Sequence, residues 1–178
     1  STGTAGQGKA GRRHRRTAKS AEQTKSKGQH SQWDGKDKAM LSRIYSAGLR
    51  GIDGFEVTVE CSGWNRLPEF RLVGLPDNAV KEAADRVRFA CENSGFAFPK
   101  LDLMVNLAPA HLRKEGSGFD LAIVCSILQC DGRIPRDMDL SEWCMLGELS
   151  LSGEIRPIDG VLCLCLAARA AGRKKIAV

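Results

Sequence analysis

Residues 101–130 read LDLMVNLAPA HLRKEGSGFD LAIVCSILQC. Leu101 to Leu107 is predicted as a strand closed by Ala108-Pro109, and the polar stretch HLRKEGSG that follows is a loop. Phe119 to Cys130 is apolar on nearly every side, the pattern of a helix buried all round. A strand, a glycine-bearing loop and a buried helix in direct succession need a sheet and further helices to cover them.

The flanking sequence supplies both. Upstream, Leu41 to Leu49 and Phe55 to Cys61 have strand character. The second alternates Phe55, Val57, Val59 and Cys61 against Glu56, Thr58 and Glu60, with a turn from Gly51 to Gly54 before it. Glu69 to Val73 is a third short strand. Asp77 is placed to cap a helix from Asn78 to Asn93, with Gly95 past its end. Val80, Ala83, Ala84, Val87, Ala90 and Cys91 recur at helical spacing and form its buried stripe. Downstream, Trp143 to Leu149 and Gly153 to Ile158 suggest a hairpin around Ser150–Ser152. Gly160 to Ala171 is a helix ended by Gly172, and Lys174 to Val178 begins a strand. The predicted fold class is α+β: a mixed sheet with helices packed against it. Because the chain stops inside that last strand, a piece of a longer protein is expected.

The net charge of +6 is unevenly spread. Residues 1–39 hold ten Lys or Arg and three acids, which leaves seventeen basic and eighteen acidic residues for 40–178. All of the basicity therefore sits in the first 39 residues, including GRRHRR at Gly11 to Arg16. Trp33 is the only large hydrophobic side chain there before Lys38, so this stretch cannot bury enough apolar area to offset its conformational entropy. Residues 1–39 are expected to be a disordered basic tail, or residues of non-native or upstream origin, with Met40 as the natural start. No run of about 18 apolar residues occurs, and no apolar segment follows the early charges. A soluble, cytoplasmic protein without membrane contact is the expectation.

Seven cysteines, Cys61, Cys91, Cys125, Cys130, Cys144, Cys163 and Cys165, lie mostly in apolar runs. None has the Cys-x-x-Cys spacing of a zinc or redox site. They read as small buried hydrophobes in a reducing compartment, and no metal is expected.

The candidate site is Arg113, Lys114, Gly116, Ser117 and Gly118, in the loop before the buried helix. Its glycines permit a tight turn, and a helix N-terminus offers unpaired N–H groups of positive partial charge, together a cradle for an anion. The loop lacks the Gly-x-x-x-x-Gly-Lys-Ser/Thr order of a P-loop, which occurs nowhere in the chain. Ser117 lacks the Gly-x-Ser-x-Gly context of a nucleophile elbow, and His111 is the only histidine after residue 40. Asp120 is placed to complement the helix dipole and cap neighbouring amides. Lys81, Arg86, Arg88, Arg113 and Lys114 are the candidates for a local basic patch that DNA could contact.

Five stretches carry a family resemblance: Leu41-Ser-Arg-Ile-Tyr-Ser-Ala-Gly-Leu, Val73-Gly-Leu-Pro-Asp-Asn-Ala-Val-Lys-Glu, Asn106-Leu-Ala-Pro-Ala, Lys114-Glu-Gly-Ser-Gly-Phe-Asp-Leu and Gly147-Glu-Leu-Ser-Leu-Ser-Gly-Glu-Ile-Arg-Pro-Ile. Together they resemble the N-terminal domain of the magnesium-chelatase-like AAA+ ATPases of the YifB/ComM type, across residues 40–178. The resemblance implies a Lon-protease-domain-like mixed sheet. It also implies an AAA+ module after Val178, holding ATP and Mg²⁺, in a homo-oligomer, a hexamer, that acts on DNA in competence. Residues 40–178 would themselves bind no cofactor. Lon-type proteases keep their serine in Lys-Asp-Gly-Pro-Ser-Ala-Gly and their lysine in Pro-Ile-Gly-Gly-Leu-Lys. Aligned on Lys114-Glu115-Gly116, the nucleophile position falls on Gly118, with Ser117 at the preceding proline. Pro157-Ile158-Asp159-Gly160-Val161 is followed by Leu162 where the lysine would stand. The resemblance thus implies a pseudoprotease: a noncatalytic domain for assembly or for positioning DNA or a partner. The alternatives are a residual serine hydrolase using Ser117 and a freestanding regulatory domain that binds an anion at the loop.

Overall fold

A computed structural model describes residues 40–178. The expectations for residues 1–39, including the disordered tail and GRRHRR, lie outside the described residues. The elements in order are β1 (Met40–Arg50), β2 (Asp53–Trp64), β3 (Glu69–Val73), α1 (Asn78–Asn93), β4 (Asp102–Ala108), α2 (Asp120–Asp131), β5 (Trp143–Met145), β6 (Glu148–Leu149), β7 (Ile155–Arg156), α3 (Val161–Ala170) and β8 (Lys175–Ala177). The fold is α+β, as its sequence pattern predicts.

The main sheet has the order β1-β2-β4-β3. β1 and β2 form a hairpin, β2 and β4 are antiparallel, and β3 runs parallel to β4 with α1 crossing between them. Alternation gives this sheet two faces. Ile44, Val57, Val59, Cys61, Leu103, Val105 and Leu107 point to one face, where they pack with Val80, Ala83 and Val87 of α1 and Ile123 and Ile127 of α2. Ala47 points to the other face and packs with Leu164 and Ala168 of α3 and with Cys144 and Leu146. Gly54 lets α3 approach, since a Cβ there would stand 2.6 Å from the Cys163 carbonyl oxygen. Arg173 then ties the end of α3 to the sheet. Its Nε lies 2.8 Å from Glu56 Oε2, and its guanidinium stacks 3.9 Å from the Tyr45 ring centre.

One prediction needs correcting. Trp143 to Leu149 is not a single hairpin strand: β5 pairs in parallel with β8, while β6 pairs with β7. Gly147 breaks the run, with φ at 150°, its N–H donating to Gly118 O at 3.0 Å and its carbonyl accepting from Leu121 N at 3.1 Å. The chain at that point is bound to the start of α2, so it cannot continue a ladder. Among the described residues no helix is long and apolar enough to cross a membrane.

Candidate functional site

The loop that leaves β4 and enters α2 is shaped by residues remote in sequence. Lys114 N–H donates to Leu75 O at 3.2 Å and Asp77 N–H to Lys114 O at 3.0 Å, so Leu75–Asp77 runs beside the loop. The Asp77 carboxylate accepts from Val80 N at 2.8 Å, capping α1, and from Gly116 N at 3.2 Å. One side chain thereby starts a helix and anchors the loop. At Gly74, φ is 103° and a Cβ would come within 2.1 Å of Leu107 O. Only glycine lets the backbone pass β4 so closely.

Lys114 is turned inward. It is fully buried, and its Nζ donates to Gly74 O at 2.9 Å, to Leu112 O at 2.8 Å and to Pro109 O. Those carbonyls use all three donors of the ammonium, and burial pushes its pKa below the usual 10.5. Lys114 is therefore a cross-brace between its own loop and the turn after β3, not the cation offered to an anion or to DNA that its sequence context suggests.

Ser117 and Gly118 complete the loop at the start of α2. Ser117 Oγ donates to Glu148 Oε2, and α2 starts at Phe119 without a side-chain cap. Gly116, not Gly118, holds the left-handed conformation, with φ at 83°. A Cβ at Gly118 would meet Ile158 Cδ1 at 3.2 Å. Asp120 does not cap its own helix. It is fully buried, and Arg86 of α1 grips both of its oxygens at 2.7 and 3.0 Å while Leu149 N donates to Oδ2 at 3.1 Å. Burial pushes the Asp120 carboxyl upward, opposed by those two donors.

These contacts border a cleft of about 380 Å³. Apolar Leu49, Phe119, Pro157, Ile158 and Leu164 line it, and so do Glu115, Glu148 and Asp159, but no Lys or Arg. Arg113 and Arg156 stand outside, 3.3 Å from Glu115 and 3.6 Å from Glu148, both well exposed. A lining with three acids and no Lys or Arg does not favour phosphate, so the charge of the cleft lends no support to the anion cradle expected of the loop. The five DNA-contact candidates do not act as one patch either. Arg86 is held by Asp120 and Lys114 is buried, which leaves Lys81, Arg88 and Arg113 at the surface. Sequence reasoning missed Glu148, Asp159 and the Arg86–Asp120 pair. Gly147-Glu148 was visible as part of a motif, but its approach to Ser117 exists only once β6 lies against α2.

The fold and this cleft define a small α+β domain in which all five motifs meet at one end of the sheet. The chain belongs to the family described as subunit ChlI of Mg-chelatase, whose model matches residues 57–178. It is 41% identical over 136 residues to competence protein ComM of Haemophilus influenzae, covering 76% of this chain and 26% of that protein. It is 38% identical over 136 residues to the uncharacterised protein YifB of Escherichia coli, covering 76% of this chain and 27% of that one. An uncharacterised protein of Mycobacterium tuberculosis is 41% identical over 138 residues, covering 78% and 27%. The chain thus spans about a quarter of the length of the curated relatives it matches.

Proposed function

We propose that residues 40–178 are the noncatalytic, Lon-protease-like N-terminal domain of a ComM-like AAA+ ATPase. In this reading the domain serves assembly of a hexameric, cytoplasmic, DNA-processing motor or positions its DNA or protein partner. ATP and Mg²⁺ belong to a separate AAA+ module of the longer protein. The observation that carries the reading is the spent chemistry of the loop: the Lys114 ammonium is saturated by backbone carbonyls. Leu162 supplies no base where the Lon comparison asks for one. A phosphate-release assay on the purified chain should detect no Mg²⁺-dependent ATP turnover. Turnover that survives purification and scales with the chain's concentration would refute the division of labour.

One contact favours a second reading, a residual serine hydrolase: the Ser117 hydroxyl donates to the Glu148 carboxylate, which could accept its proton. A fluorophosphonate probe separates the two. The noncatalytic reading expects no labelling, whereas labelling abolished by Ser117→Ala establishes the hydrolase.

A further inference from the structure

We propose that Cys61 and Cys130 form a redox pair, closing to a disulfide under hydrogen peroxide and reopening under a thiol reductant. Neither side chain has a part in the cleft or in the function proposed above. Cys61 lies on β2 and Cys130 in the last turn of α2, and both are fully buried in the main core. Cys61 and Gly63 share one face of β2. Gly63 leaves room for the second sulfur, since a Cβ there would stand 3.2 Å from Cys130 Sγ. In that space Cys130 Sγ accepts from the Cys61 thiol and from the Gly63 N–H. Its own S–H donates to Met40 O at 3.3 Å, across from Gly63 in the β1–β2 ladder. Two thiols from distant parts of the chain are thus in direct contact, a pairing that Cys-x-x-Cys spacing could not reveal.

The surroundings assign the two roles. The hydrogen bond from Cys61 holds the Cys130 thiol below its ordinary 9.0, against burial and Asp131, with help from the Arg136 guanidinium and the Gly63 N–H. Arg136 is fixed there by donating to Cys130 O at 2.9 Å. The same contact and burial push the Cys61 thiol up, so it keeps its proton. The Cys130 thiolate therefore attacks one peroxide oxygen. The O–O bond breaks, and the leaving hydroxide takes up the proton that Cys130 gave up, forming water. The Cys61 sulfur then attacks the sulfenic sulfur, and the S–O bond breaks. The Cys61 proton leaves with that hydroxide as a second water. Two thiols are oxidised and one peroxide is reduced to two waters. Because the Cys130 S–H is consumed, Met40 O loses its donor, so oxidation fastens α2 to β2 and frees the first residue of β1. Peroxide, near water in size, reaches the buried pair when the start of β1 opens, which makes the reaction slow.

The test treats the folded full chain briefly with N-ethylmaleimide, to block accessible thiols, and then with hydrogen peroxide. After quenching and unfolding, free thiols are alkylated with iodoacetamide, and tryptic peptides are mapped by mass spectrometry without reduction. The expected product is a single Cys61–Cys130 disulfide that a phosphine removes. Tm should rise by about 5 °C on oxidation, because the bridge closes a long loop in the unfolded chain. In Cys61→Ala, peroxide should leave Cys130 as a sulfenic acid that dimedone labels. In Cys130→Ala, Cys61 should take up at least tenfold less dimedone. A bridge between two other cysteines as the main product, no bridge at millimolar peroxide, or a bridge that forms only in urea would each overturn the pair. Equal dimedone labelling of the two variants would overturn the assignment of Cys130 as the attacking sulfur. Should either alanine variant fail to fold, the peptide map of the parent chain decides the pairing alone.

Discussion

Lys114 shows how one residue can invert between sequence and structure. In a Gly-rich loop it reads as a solvent-facing cation, because nothing in the string KEGSG reveals that the carbonyls of Gly74, Pro109 and Leu112 converge on it. Lys114→Met should therefore cost on the order of 3 kcal/mol or more, since it leaves three inward-facing carbonyls without donors. Ser117→Ala, which removes one partly buried hydroxyl, should cost about 1 kcal/mol or less. Urea melts compare them directly, and a Lys114→Met variant as stable as Ser117→Ala would show that the cross-brace contributes little. The glycines of the loop sort in the same physical way. A Cβ at Gly116 meets nothing within 4 Å, so Gly116→Ala should cost only the backbone strain, about 1 kcal/mol. Gly74→Ala meets the Leu107 backbone at 2.1 Å in a left-handed conformation, and roughly 3 kcal/mol or more is expected. Thermal unfolding of both variants checks the order. Gly116 and Gly118 permit the tight turn expected of this loop, but the large cost falls at Gly74, because it is set by what the chain passes.

Among the elements, legibility followed how completely local pattern determined pairing. α1 was readable at both ends: Asp77 caps it, its stripe is buried except for the half-buried Ala84, and Asn78–Asn93 is a helix as predicted. β3 and the β1–β2 hairpin were readable for the same reason, since alternation and a tight turn are local properties. The stretch after Trp143 was readable only in its second part: the hairpin around Ser150–Ser152 is present as β6 against β7, whereas β5 takes its partner from the far strand β8. An apolar run with an internal glycine carries no mark of such a change of neighbour. Of the candidate site, the loop could be read from its glycines before an apolar helix, while the carboxylates facing it come from β6 and from the approach to α3. Arg173 fastens the α3–β8 junction to the main sheet through Glu56 and the Tyr45 ring, and donates to the carbonyls of Ser141 and Ala171. Arg173→Ala should destabilise by about 3 kcal/mol, because Glu56 loses its partner along with the stacked contact. Arg173→Lys should recover only a minor part, having neither the planar face nor the fork. Full rescue by lysine in a denaturant melt would reduce the clasp to a simple charge pair.

For the whole molecule the cysteines give a readout of packing that charge cannot. Cys61, Cys91, Cys130 and Cys144 are buried and the remaining three half-buried, in keeping with apolar runs that use cysteine as a small hydrophobe. Burial pushes the Cys125 thiol up to about 11 and the Cys144 thiol up to about 12, against an ordinary value of 9.0. The unfolded chain then releases these protons near pH 9, while the folded chain keeps them for two to three further pH units. Over that window the folded state binds more protons than the unfolded one, so stability must fall as pH rises. Each such thiol contributes a slope of about 1.4 kcal/mol per pH unit. Every other ionisable group is common to parent and variant and cancels in a difference. Cys144→Ala should therefore be less stable than the parent at pH 8, from the small cavity it leaves, and should close that gap as pH is raised from 9 to 11. Cys125→Ala should behave likewise. Urea melts at pH 8, 9, 10 and 11 under a phosphine reductant measure both, and stability curves that stay parallel to the parent's would mean that these thiols ionise as freely in the fold as out of it.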